Sequence, residues 1–248
     1  MQYRTAEELR TTHKDEAHEI LDACEGQIVK FDFGINLFKK WYSAIFKNDP
    51  TAKTLDLGVA SGGFQAQLAE HGYHNCYGVD IDDYLKADNK KLLKEFKVAD
   101  LGYDKLPWSD AFFQIVTGWC VLPHVENPFH AIREINRVLQ PGGLFIFSVP
   151  HITSKPAIDY FSKNKDFGSY RSTNNHLFLF TPALVKKALL RYFEMVDVDY
   201  AIRPKIFERG IKGKIRKILY DFSARHPKLR KFLGDRWSYD ILYVLRKK

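Results

Sequence analysis

Thr54-Leu55-Asp56-Leu57-Gly58-Val59-Ala60-Ser61-Gly62-Gly63-Phe64 reads as a short apolar strand that breaks into a glycine-bearing turn and passes into a helix near Gly63. Such a turn aims backbone N–H groups and a helix N-terminus at a polar ligand. Outward from it, a second strand, Cys76-Tyr77-Gly78-Val79-Asp80, ends on an acid 22 residues beyond Gly58. An acid at about that spacing commonly accepts hydrogen bonds from both ribose hydroxyls of a nucleoside. A third segment, Lys97-Val98-Ala99, ends on Asp100. The turn alone also fits an ordinary strand-to-helix connection. Three strand ends bringing such groups to one sheet edge outline a nucleoside pocket.

Around this stretch, strands and helices alternate from Lys53 onward. Strands are predicted at 53–58, 76–80, 97–99, 112–118, 143–149, 195–202 and 239–245. Helices are predicted at 63–71, near 83–94, at 128–139, from the Thr181-Pro182 start to about Phe193, and at Gly210–Phe222. Alternation with short glycine- or acid-bearing connections predicts an α/β fold, a mostly parallel sheet with helices on both faces. Two further helices precede the first strand. One covers 5–24, with Thr5 and Glu8 as a capping box; the other covers about Ile35–Phe46 and is stopped by Asn48-Asp49-Pro50. The expected organisation is an N-terminal helical cap over 1–50 and a ligand-binding domain over 51–248. The cap helices either cover the site or simply pack on the sheet.

At 248 residues and 45% hydrophobic content, the chain suits one domain with appendages and a sizeable core. Apolar runs such as Leu144-Phe145-Ile146-Phe147 are far too short to span a bilayer. The first residues lack an apolar signal region. Cys24, Cys76 and Cys120 form neither a disulfide framework nor a zinc spacing, so no metal is expected and cytoplasmic residence is. Charge is uneven. Residues 201–248 hold 15 Lys/Arg against 4 Asp/Glu, while residues 1–200 hold 23 against 26. The basic balance of +8 therefore belongs to the C-terminal fifth. It points either to an anionic partner at that end or to a solvated basic face.

The ordered set Leu55-Asp56-Leu57-Gly58, Gly78-Val79-Asp80, Ala99-Asp100, Leu106-Pro107-Trp108-Ser109-Asp110, Val121-Leu122-Pro123-His124 and Arg133-Glu134-Ile135 through Pro141-Gly142-Gly143 closely resembles the class I S-adenosylmethionine (SAM)-dependent methyltransferases. The branch it looks most like is that of small-molecule enzymes related to ubiquinone biosynthesis. The resemblance covers about 52–150 strongly and 174–200 weakly. It implies a Rossmann-like seven-stranded sheet with an antiparallel last strand, and SAM as cofactor. It assigns the turn residues Asp56, Gly58, Val59, Ala60 and Gly62 to the methionine portion, Asp80 to the ribose and Asp100 to the adenine amino group. Gly118 and Trp119 would line the sulfonium end, and Ile81 and Leu101 complete the set. Ala60 departs from the family's Gly-x-Gly-x-Gly, where a glycine stands.

Methyl transfer requires an aligned acceptor and, for some acceptors, removal of a proton. His124, His151 and His176 follow predicted strands or lead into the Thr181 helix, and each reads as a general base, a substrate hydrogen-bonder or a packed histidine. Cys120 reads as a small buried side chain, since no Pro-Cys motif accompanies it. The polar, aromatic stretch 151–176 is read as a long loop forming the acceptor wall. The resemblance, with Pro150-His151 in place of an Asn/Asp-Pro-Pro-Tyr motif, suggests O-methylation of a small-molecule, saccharide or lipid-linked acceptor. RNA methylation and a non-catalytic SAM-binding scaffold are the alternatives; no appended RNA-binding motif is visible. The basic amphipathic helix 210–222 fits an anionic membrane surface, which would make the protein peripheral to the membrane. It fits equally a helix packed on its own sheet.

Overall fold

A computed structural model describes residues 8, 11, 14, 15, 32–171, 175–203, 206–208 and 210–248. The helix read over 5–24 lies outside the described residues apart from Glu8, Thr11, Lys14 and Asp15, which are helical; Thr5 of the capping box lies outside as well. The first described long element is α1 (Asp32–Phe46). There follow β1 (Thr54–Leu57), α2 (Gly63–Glu70), β2 (Cys76–Asp80), α3 (Ala87–Lys90), β3 (Glu95–Val98), β4 (Phe113–Trp119), α4 (Pro128–Val138) and β5 (Leu139–Pro150). The chain then forms α5 (Lys155–Asn164), α6 (Pro182–Leu189), β6 (Phe193–Ala201), α7 (Gly210–Phe222), α8 (Pro227–Trp237) and β7 (Asp240–Lys247).

The seven strands make one sheet in the order β3-β2-β1-β4-β5-β7-β6. β1 to β5 pair in parallel, and β7 runs antiparallel to both β5 and β6. Successive strand residues face opposite sides, and β5 shows the consequence. Phe145 and Phe147 pack with Ile132 and Ile135 of α4 and Val185 and Leu189 of α6. Leu144 and Ile146 pack on the other face with Phe38 of α1 and Phe64 and Leu68 of α2. Phe38 meets the rings of Phe64 and Tyr73 edge-on, at centroid distances of 6.1 and 5.1 Å. The Thr181 cap is formed, its Oγ1 accepting from Leu184 N at 3.1 Å.

Several element boundaries differ from the sequence expectation. The helix expected near 83–94 shrinks to the single turn of α3, because residues before it are spent on other contacts. Tyr84 donates to the Lys14 carbonyl at 3.3 Å, and Asn89 Nδ2 to the Ser61 carbonyl at 2.7 Å, which draws α3 onto the glycine turn. β3 begins at Glu95 and ends at Val98, because pairing with β2 sets its register from Tyr77↔Glu95 to Asp80↔Val98. The stretch 151–176 is not a continuous loop: α5 occupies Lys155–Asn164, opening with Pro156 in its first turn and carrying a Lys155–Asp159 pair at 2.7 Å. α8 was not anticipated; it opens on Pro227 and buries Leu233, Gly234 and Trp237. α7 and α8 form the connection between β6 and β7 over a small core of Ile202, Ile206, Leu233 and Trp237.

Candidate nucleoside-binding site

The turn after β1 is built by backbone that only a few residue types tolerate. Gly58 has φ +64°, and a Cβ there would stand 2.6 Å from Val121 Cγ2. Ala60 adopts φ +47° despite its methyl group. What holds it there is Asp80: the Ala60 N–H donates to Oδ2 and the Ile81 N–H to Oδ1, each at 2.8 Å. The acid at the end of β2 thus ties the two strand-to-helix turns together while remaining at the cavity wall. Burial pushes its pKa up to about 6; the two N–H groups oppose the rise and Asp82 adds to it.

Asp56 is fully enclosed beneath the turn. Its Oδ1 accepts from Thr117 Oγ1 at 2.6 Å and its Oδ2 from Gln65 Nε2. It joins β1, β4 and α2 and does not line the cavity. Burial raises its pKa to about 7, against the two hydrogen bonds. A carboxyl whose folded pKa lies above its unfolded value binds more protons when folded. Stability therefore falls as pH rises from about 4 to about 7, at up to about 1.4 kcal/mol per pH unit. Asp56→Asn should flatten this slope, because the amide carries no titrating proton, and a flip of Gln65 supplies it with an acceptor. Urea unfolding across that range checks it, and an unchanged slope would place Asp56's protonation elsewhere.

The turn opens on a cavity of about 250 Å³ lined by Gly58, Ala60, Asp80, Ile81, Asp100, Leu101, Trp119 and His124. Eight sequence-derived candidates are thus brought together. Asp100 Oδ1 accepts from the Gly102 N–H at 2.8 Å, fixing the carboxyl at the wall. The Trp119 ring packs against Phe64 at 4.9 Å, and α1 approaches its face through Gly34, where a Cβ would stand 3.1 Å away. Val59, Gly62 and Gly118 sit one layer behind. Val59 packs on Gly78, Gly62 starts α2 with φ +85°, and Gly118 leaves room for Val121.

The three histidines separate. His124 lines the cavity, with His176 edge-on against it at 4.3 Å and Tyr170 next to His176 at 5.1 Å. Burial, followed by the neighbouring His176, lowers the His124 pKa to about 4, while hydrogen bonds with Asn175 oppose the fall. His124 is therefore a neutral imidazole at pH 7. His176 is also lowered by burial, and its Nδ1 contacts the Ser169 carbonyl. His151 lies away from the cavity. It is buried, with Nδ1 2.6 Å from Ser238 Oγ and Nε2 3.5 Å from Asp235, and joins the end of β5 to α8.

Sequence reasoning missed Tyr84, Val121, Val125 and Glu126 as lining groups. Tyr84 was absorbed into a helix; its position two residues after Asp82 was the available signal. Asp240 was missed too. It sits level with Pro150 and Ala201 at the same sheet edge, its Oδ1 3.8 Å from the cavity-lining Cys120 Sγ and its Oδ2 3.8 Å from Arg203. Burial raises its pKa, and Arg203 opposes this. No group of three or more metal-ligating side chains occurs among the described residues.

The cavity suits a nucleoside: amides and a carboxylate stand at the turns after β1 and β2, a second carboxylate follows the neighbouring strand β3, and an aromatic ring ends β4 on the other side of β1. Residues 55–147 match the family model of a methyltransferase domain. The 24-methylenesterol C-methyltransferase 2 of Oryza sativa is 30% identical over 106 residues, 39% of this chain and 28% of the rice enzyme. The ubiquinone/menaquinone biosynthesis C-methyltransferase of Shewanella sp. (strain ANA-3) is 32% identical over 145 residues, 52% of this chain and 57% of that protein. The chain thus spans between a quarter and three fifths of these relatives. The crystal structure of a SAM-dependent methyltransferase from Archaeoglobus fulgidus shares the fold, with a TM-score of 0.55, 17% identity, and coverage of 86% of this chain and 93% of that one.

Proposed function

We propose, from a chain that carries a class I SAM-dependent methyltransferase domain, that the protein transfers the methyl group of SAM to an oxygen of a small-molecule, saccharide or lipid-linked acceptor. The observation that carries the reading is the Asp80 carboxylate, fixed by the Ala60 and Ile81 amides at the wall of a cavity that also presents Asp100 and Trp119. When bound, SAM supplies an electrophilic methyl group on a sulfonium. Asp80 would take the ribose hydroxyls, Asp100 and Leu101 the adenine, and the Gly58–Gly62 turn with Trp119 the methionine end. The acceptor would enter between Cys120, His124 and Asn175. Neutral His124 can accept a hydrogen bond from an acceptor hydroxyl. Asp240, beyond Cys120, is the second group placed to receive a proton. The relatives include both C-methyltransferases and N-methyltransferases; Pro150-His151 after β5, in place of an Asn/Asp-Pro-Pro-Tyr motif, supports oxygen rather than nitrogen here.

Calorimetric titration with SAM, S-adenosylhomocysteine and NAD tests the cofactor. The expected result is binding of the first two and none of NAD; the reverse would overturn the reading. A panel of catechols, quinols, hexose derivatives and polyprenyl-linked saccharides with ¹³C-methyl SAM then tests the acceptor. A methoxy carbon signal is expected, and a C-methyl or N-methyl signal would replace oxygen as the target.

A further inference from the structure

α7 is packed by its polar side and shows its apolar side to solvent. Ile211, Ile215, Ile218 and Phe222 recur at i, i+4, i+7 and i+11, which is one face of a helix. Ile211 is 78% exposed, Ile218 68% and Phe222 62%. The contacts to the rest of the molecule come from the opposite side. Gly213 is buried so closely that a Cβ would stand 2.5 Å from the Phe207 carbonyl. Arg216 reaches the Ile206 carbonyl and the Trp237 ring, and Tyr220 is clamped by Arg230, whose guanidinium lies 3.3 Å over its ring. Packing on the fold therefore does not account for the stripe. An apolar face of this size, left open on a helix held from behind, marks an interaction surface.

Its borders give the chemistry of the partner. Lys212 and Lys214 flank the stripe on its two sides, both exposed, and Lys217 lies beyond Lys214. Phe232 on α8 is exposed as well. Residues 201–248, which contain these helices, carry 15 Lys/Arg against 4 Asp/Glu. An apolar stripe bordered by lysines, on a helix of low overall hydrophobicity, is suited to the headgroup boundary of an anionic bilayer. The mounting fits as well. The α7–α8 connection leaves β6 at Ala201 and rejoins β7 at Asp240, and both are level with Pro150 at the end of β5. That is the sheet edge on which the cavity opens.

We propose that α7 docks the protein onto an anionic membrane surface, with the Ile211–Phe222 stripe at the acyl boundary and Lys212, Lys214 and Lys217 against the headgroups. Docking in this way holds the cavity edge near the bilayer. Only the consequence that the acceptor is lipid-linked rests on the methyltransferase reading.

The test is co-sedimentation of the full chain with vesicles of phosphatidylcholine, with and without phosphatidylglycerol, at low and high salt. Two triple variants, Ile211→Ser/Ile215→Ser/Ile218→Ser and Lys212→Gln/Lys214→Gln/Lys217→Gln, are run beside it. These positions are exposed, so both variants should melt and bind SAM as the parent does. The parent should bind the anionic vesicles and be released by salt. Each variant should bind about a hundredfold more weakly. Absence of sedimentation with anionic vesicles, or variants that sediment like the parent, would overturn docking and leave cofactor binding untouched. A dimer that the Ile variant dissociates would assign the face to a second copy of the chain. RNA retention lost in the Lys variant without vesicle binding would assign it to nucleic acid. Either result overturns the membrane.

Discussion

Asp80→Ala should weaken SAM binding by about 1.5–3 kcal/mol, the range for hydrogen bonds to a charged group, or about ten- to a hundredfold in Kd. Two losses combine in this variant. The proposed acceptor for the ribose hydroxyls disappears, and so does the anchor that holds the Ala60 amide in a left-handed conformation. The pH dependence provides a second signature. With the Asp80 pKa near 6 before binding, ionisation favours the hydroxyl-accepting form. Affinity should be level above about pH 6 and fall by up to tenfold per unit below it. The variant should show no such fall from this group. Asp88→Ala, on the exposed side of α3, should leave affinity as it is. An unchanged affinity in folded Asp80→Ala would remove Asp80 from the ribose role.

Gly58→Ala should destabilise the fold by about 2–5 kcal/mol. An L-residue at φ +64° costs about 1–2 kcal/mol, and the added methyl must displace Val121, whose Cγ2 would stand 2.6 Å away. Overpacking of this kind adds about 1–3 kcal/mol. Val121 also lines the cavity, so its displacement should lower SAM affinity in whatever fraction remains folded. Urea unfolding with and without S-adenosylhomocysteine separates the two effects. A variant as stable as the parent would mean that the turn can take another path, as the alanine at position 60 already suggests for a neighbouring position.

Some of this was legible in the chain because it is local. A strand that breaks at Asp56-Leu57-Gly58 makes its own turn, and the spacing to Asp80 and Asp100 follows from the βα rhythm. Gly58, Ala60, Asp80, Ile81, Asp100, Leu101 and Trp119 consequently meet at one cavity. α6 announced itself through the Thr181-Pro182 cap. α5 did not, because it buries no side chain and carries Ile158 and Phe161 in the open, so no core-facing stripe is written into 155–164. α8 was hidden for a related reason: its buried residues, Leu233, Gly234 and Trp237, crowd into its last half.

What only the tertiary structure decided is which side of each element meets which neighbour. His124 and His151 follow strands at this edge and His176 leads into α6, and sequence position does not choose among them. His124 reaches the cavity, His176 stands behind it, and His151 turns to Ser238 and Asp235. The same holds for α7. Its sequence determined that an apolar stripe exists at helical spacing. The choice between core and solvent was made by Gly213, Arg216 and Tyr220 on the other side, through contacts with residues up to 21 positions away. Periodicity reports the presence of a face, since that depends on the helix alone. What lies against the face depends on long-range packing, in which the whole sheet and the connection from β6 to β7 compete for the same surface.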